Sequence, residues 1–112
     1  MPSIYENVKC EGMTMIKSWN AVVSKADVRF YPEVMASQIE LVIQHERGNS
    51  LFRIPETNDA RMGMYRIFNT GSMDDLKGRY CRASIDEYTG EVVSLKNIIY
   101  DGINELQNDP II

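Results

Sequence analysis

Apolar side chains recur at every second residue in two blocks of this chain and at helical spacing in the one block between them. That order of periods restricts the fold more than any other feature, because a two-residue repeat needs strands and a 3.6-residue repeat needs a helix. Trp19, Ala21 and Val23 lie on one side of the first alternating stretch. After Lys25 the apolar set becomes Ala26, Val28 and Phe30, opposed by Asp27, Arg29 and Tyr31. Pro32 has no amide donor and should close that strand. A second strand is expected over Ala36 to His45, with Ile39, Leu41 and Ile43 on one face. Arg47-Gly48-Asn49-Ser50 reads as a turn, and Leu51 to Ile54 as a third strand that points Phe52 and Ile54 inward and stops at Pro55.

The period then changes. Ala60, Met64, Ile67 and Phe68 fall on one helical face, with Asn58 or Asp59 as the expected N-cap and Gly71 as the left-handed residue after the last turn. Ser72 with Asp75 resembles a capping box for a short turn closed by Leu76. Alternation returns in Cys81, Ala83 and Ile85. Asp86 to Glu91 reads as a hairpin connection with Gly90 at a bulge position, and Val92 to Tyr100 as a central strand. The order β-β-β-α-β-β predicts an α+β fold, a mostly antiparallel sheet with one covering helix. The expected organisation is a lead segment over 1–15, one domain over 16–102 and an acidic tail over 103–112.

A chain of 112 residues holds one core. No uninterrupted apolar run exceeds three residues, so neither a membrane span nor a signal-peptide core is expected. The net charge of −4 argues against general DNA binding. Its distribution is uneven: the segment 46–83 carries +2 and the segment 84–112 carries −5. Six of the seven arginines lie between Arg47 and Arg82. Cys10 and Cys81 form no C-x-x-C motif and read as reduced thiols, and two Cys with one His are too few for structural zinc.

Residues able to carry chemistry are sparse. His45 has no patterned nucleophile beside it, and the acid pairs Asp74-Asp75 and Asp86-Glu87 sit where turns and helix starts attract acids. No phosphate-loop, dinucleotide, zinc-protease or nucleophile-elbow motif occurs, so no catalytic residue, metal or cofactor is expected. Gly63, inside the helix, costs about 1 kcal/mol relative to Ala and points to a close approach there by a packed strand or a ligand. The seven methionines suit gap-filling or an adaptable binding surface. The candidate binding residues are Arg53, Arg61, Tyr65, Arg66, Tyr80 and Arg82, because a guanidinium forks onto phosphate or carboxylate and Arg with Tyr is also typical of protein-interface anchors. Residue type alone leaves an anionic ligand and a protein partner both open.

The segment from Ser72 to Ala83, followed by Val93 to Asp101, resembles a group of small bacteriophage-encoded proteins whose pattern runs roughly W-E-D-L-x-G-K-x-x-R-V and then I-x-x-I-G-x-I-x-x-D. Met73 stands where Trp is usual and Asn97 where Gly is usual. The resemblance implies a phage-type accessory protein of the bacterial cytoplasm that counters host defence by binding, as anti-CRISPR proteins do. Its expected partner is a host defence protein or ribonucleoprotein complex. One alternative is sequestration of a small nucleotide signal by Arg and Tyr at a subunit boundary; another is an assembly module. A homo-oligomer with no membrane contact is expected.

Overall fold

A computed structural model of the chain describes residues 15–99 and 105–112. Among these described residues, six strands, one α-helix and one short 3-10 turn follow in the order β1 (Ile16–Tyr31), β2 (Ala36–His45), β3 (Gly48–Pro55), α1 (Asn58–Phe68), the turn Met73–Asp75, β4 (Tyr80–Asp86), β5 (Val92–Lys96) and β6 (Leu106–Gln107). All neighbours are antiparallel, in the spatial order β3-β2-β1-β4-β5-β6. The expected α+β class therefore holds at the level of a mostly antiparallel sheet with one helix.

Strand β1 organises the rest. Its first half, Ile16 to Val22, pairs with β4, and its second half, Val22 to Tyr31, pairs with β2. Between Val23 and Lys25 the register slips, leaving Ser24 as a bulge. This slip is the physical meaning of the switch from odd-numbered to even-numbered apolar residues: an extra residue in a two-residue repeat changes which side chains face the core. Trp19, Ala21, Val23 and Ala26 thus all pack against one cluster with Ile39, Leu41, Ile43 and Phe52. Met64, Ile67 and Phe68 from α1, Leu76, and Cys81, Ala83, Ile85, Val92 and Leu95 from the later strands complete that core.

The sheet closes on itself through the strap at residues 105–112. Leu106 pairs with Leu95 of β5, and the Asp109 N–H donates to the Arg53 carbonyl of β3 at 2.7 Å. Asn108 stitches β3 to β5. Its Oδ1 accepts the Arg53 N–H at 2.9 Å, its Nδ2 donates to Val92 O at 2.9 Å, and its own N–H donates to Val93 O at 2.9 Å. The Ile111 N–H then reaches the side-chain oxygen of buried Gln38 at 2.7 Å. The result is a small barrel, with α1 contributing its apolar stripe to the core alongside β4 and β6.

Several local expectations are corrected. Thr57, not Asn58 or Asp59, caps α1, its hydroxyl accepting the Ala60 N–H at 3.0 Å. Asn69, not Gly71, takes the left-handed conformation after the last turn, at φ 54°. The β2–β3 turn is Glu46-Arg47, and Gly48, at φ +129°, already opens β3 opposite His45. Strand β5 ends at Lys96, leaving Ile98 and Ile99 exposed beyond it. Asn97 turns its side-chain amide onto the Arg66 and Ile67 carbonyls at 3.2 and 3.0 Å, satisfying the C-terminal end of α1. Ser72 does cap the turn at Met73–Asp75, accepting the Asp74 N–H, and Gly90 does take a positive φ of 76°. Cys10, Tyr100 and the expected break at Asp101-Gly102 lie outside the described residues.

Candidate partner-binding surface

The β1–β2 hairpin runs on past the core. Ala26 still packs against the core cluster, but Val28 and Phe30, on the same face of β1, are 42% and 55% exposed. At the tip, Val34 and Met35 are 46% and 78% exposed. Met35 takes φ 53°, the left-handed region that disfavours a long side chain, in a turn whose N–H groups at Val34 and Met35 bond back to Tyr31 and Pro32. The arm therefore presents four apolar side chains to solvent on a hydrogen-bonded hairpin. An exposed apolar cluster on an ordered element is the usual mark of a contact surface.

Between the base of this arm and the helix lies a cleft of about 550 Å³, walled by Asp27 and Val28 on one side and by Arg61, Tyr65, Met73 and Asp74 on the other. Arg61 and Tyr65 sit one helical turn apart, so two of the six sequence candidates meet here. The Arg61 Nε donates to Glu56 Oε2 at 2.6 Å. Hydrogen bonding to Glu56 first, and to Tyr65 second, raises its pKa further above the ordinary arginine value. With Glu56 on the guanidinium and Asp27 and Asp74 on the rim, the cleft is a mixed-charge site.

The other four candidates are dispersed. Arg53 lies on the outer face of β3 under the strap, its Nε enclosed without a hydrogen-bond partner among the described residues. Tyr80 is exposed on the outer face of β4, and Arg82 follows two residues on, opposite Asn20 and Lys96. Arg66 is exposed in the last turn of α1. The outer face beside Arg53 carries a network that sequence reasoning missed. Tyr31 Oη donates to Glu40, Gln38 Nε2 donates to the same carboxylate at 2.7 Å, and the Arg29 guanidinium lies 5.5 Å from the Tyr31 ring centroid. Burial alone would raise the Glu40 pKa. The hydrogen bonds from Tyr31 and Gln38, with the charges of Arg29 and Arg53, outweigh it and hold the carboxyl below its ordinary value.

His45 approaches a hydroxyl after all. Its Nε2 lies 2.8 Å from Ser50 Oγ, beside a smaller hollow lined by Arg47, Asp86 and Glu87. The hydrogen-bond sense is opposite to that of a catalytic dyad. Ser50 gives its proton to the Gly90 carbonyl at 2.7 Å, so Nε2–H is the donor to Ser50. Nδ1 accepts the Arg47 N–H at 3.2 Å, where a catalytic histidine would donate to a carboxylate. Glu87 serves the frame instead, binding Arg47 at 2.7 Å and Trp19 Nε1 at 3.2 Å. Asp86 Oδ1 accepts the Tyr88 N–H at 2.9 Å, ordering its own turn. The Cys81 thiol is pushed up to about 12 by burial, so it is inert in the folded chain. Among the described residues no cluster of three His, Cys, Asp or Glu side chains is placed to hold a metal ion. No described helix is long and apolar enough to cross a membrane.

No protein-family model matches the chain, and no curated protein or solved structure is significantly similar to it.

Proposed function

We propose that the protein is a non-catalytic binding protein that works by protein–protein contact through the hairpin arm. In the setting implied by the phage-type segment from Ser72 to Ala83, the partner is a host bacterial defence complex that the protein inhibits. The observation that carries the reading is the arm itself. Val28, Phe30, Val34 and Met35 are held in solvent by an ordered hairpin, and burying such side chains fully against a partner contributes about 1.5–3 kcal/mol each. Arg61 and Tyr65 stand beside the arm as polar contacts of the kind that anchor interfaces.

A small anionic ligand is the second reading, favoured by the same two residues in a cleft of nucleotide size. The pairing of Arg61 with Glu56 and the acids on the rim weigh against it. Some partly open small barrels take single-stranded nucleic acid on the face of their second and third strands. Here the outer face of β2 and β3 engages its cation Arg53 and its acid Glu40 with each other's fields, and the chain's net charge is −4.

The test is phage plating on bacteria that carry a nucleic-acid-guided nuclease. Expression of the protein should restore plating of a sensitive phage, and the double variant Val34→Asp with Met35→Asp should lose the effect while unfolding at the wild-type temperature. No restoration, or equal restoration by the double variant, overturns the proposal. A thermal-shift series with cyclic and ADP-ribose-type nucleotides tests the second reading, with Arg61→Ala as its control.

A further inference from the structure

We infer that β1 is also an assembly edge, and that its occupant is the same segment of a second copy of this chain, paired antiparallel about a two-fold axis at Val28. The inference concerns assembly: it takes Val28 and Phe30 into the seam and leaves Val34 and Met35 at the tip for the host partner.

Strand β1 changes partner at Val22, the one residue paired on both sides: Ile16 to Val22 pair with β4 and Val22 to Tyr31 with β2. Beyond Val22, Val23 exchanges bonds with Arg79 and Gly78, its N–H donating at 2.9 Å and its carbonyl accepting at 2.7 Å. From Lys25 to Tyr31 the strand pairs with β2 alone, and among the described residues no strand lies on its other side. An open edge leaves a row of backbone donors and acceptors ready to template another strand. The cleft of about 550 Å³ runs along the base of this same stretch, at Ala26, Asp27 and Val28, which leaves room beside it for an added strand.

The segment is complementary to itself. With Val28 opposite Val28 of the second copy, Asp27 of each chain faces Arg29 of the other, which gives two opposite-charge pairs on the outer face. Lys25 then faces the partner's Tyr31, a cation–aromatic match on that face. On the inner face, the half-exposed Val28 side chains meet one another and Ala26 meets the partner's Phe30. A shift of one residue would put Asp27 opposite Val28 and break every one of these matches, so the pattern selects its own register. An isologous interface of this kind closes after two copies. An unrelated extended peptide could also use the edge, but it would have to supply the same alternation of charge.

The test is sedimentation of the full chain at micromolar concentration and moderate salt. Wild type should be a dimer. Asp27→Arg places two arginines opposite two arginines, and Arg29→Asp places acids opposite acids. Each variant alone should weaken the dimer by about ten- to a hundredfold, as two cross-strand pairs turn from attraction to repulsion. An equimolar mixture of the two variants should restore it, as a heterodimer with complementary charges. Backbone amide exchange from Ala26 to Phe30 should be slow in the dimer and fast in either variant alone. A monomeric wild type overturns the inference. So does a dimer indifferent to both variants, or a mixture that fails to reassociate. Loss of host binding by the tip variant with the dimer intact would leave this assignment standing, which keeps the two proposals separable.

Discussion

Asn108 and Arg53 are joined by a 2.9 Å hydrogen bond from the Arg53 backbone N–H to the Asn108 side-chain oxygen, across 55 positions of sequence. Because the same amide group donates to Val92 on β5, one side chain joins β3 to β5 across the seam. Asn108→Ala leaves a donor and an acceptor unsatisfied in a half-buried seam, a loss of about 2–3 kcal/mol. For a domain of this size that lowers the melting temperature by roughly 10–20 °C. Asn108→Asp keeps the acceptor for Arg53 but cannot donate to Val92, so its loss should fall between wild type and Ala. Urea unfolding of the three proteins orders them; equal stability of Asn108→Ala and wild type would remove the seam from the account.

Gly63 faces the strap at closer range. A Cβ there would lie 3.0 Å from Leu106 Cδ2, 3.2 Å from Cδ1 and 3.3 Å from Cγ, so the whole isobutyl group must shift rather than only its end. Gly63→Ala gains about 1 kcal/mol of helix propensity and meets about 1–3 kcal/mol of overpacking. A net loss near 1 kcal/mol is expected, and Leu106→Val in the same chain should recover part of it. A double-mutant cycle on denaturant midpoints reads the coupling.

The pH dependence has two windows. The His45 pKa is lowered from 6.5, first by burial and then by the charge of Arg47, with Glu87 opposing. The unfolded chain therefore binds more protons than the folded one as pH falls through 6.5, and stability declines in that direction. Protonated Nδ1 would also lose the Arg47 N–H bond. Glu40, held below its ordinary 4.5, adds a second decline as pH falls below that value, where the unfolded carboxyl takes up a proton before the folded one does. His45→Gln should flatten the upper window and leave the lower one. Tyr31→Phe removes a hydrogen bond to the Glu40 carboxylate and should move its NMR titration upward. Denaturant midpoints between mild acid and neutrality decide the first claim, and an increase in stability on acidification would refute it.

Cys81 should resist thiol reagents in the native protein and react once urea opens the core, since the thiolate is scarce at neutral pH and the sulfur is fully buried. Peptide mapping of the labelled site separates it from Cys10. Rapid native labelling of Cys81 would contradict the packing of β4.

Regular elements were legible in the sequence because burial imposes their period. Strand β2 and helix α1 occupy the expected spans, and even the bulge at Ser24 left its trace as a change of parity. Gly63 announced a close approach, and the approaching group is a packed strand side chain. Strand β6 was not legible, since two residues are too short to show a repeat and the seam depends on the amide of Asn108. The arm was hidden for the opposite reason: Val28 and Phe30 continue the alternation of Ala26 without interruption, and periodicity cannot tell where a core stops beneath a strand. Among the site candidates, Arg61 and Tyr65 could be grouped by helical spacing. Arg53, Arg66, Tyr80 and Arg82 could not be placed relative to one another without the closure of the sheet.

The extra residue at Ser24 makes the arm's orientation a matter of counting. Deleting Ser24 would leave Val23, Lys25 and Ala26 opposite Ile43, Val42 and Leu41 in unbroken alternation, so Ala26, Val28 and Phe30 keep their face and only the local kink is lost. The half of β1 that pairs with β4 would be untouched. One residue inserted after Lys25 and carried in the ladder would instead turn Asp27, Arg29 and Tyr31 toward the core and Ala26, Val28 and Phe30 outward, a reversal of polarity that no substitution in the strand could achieve alone.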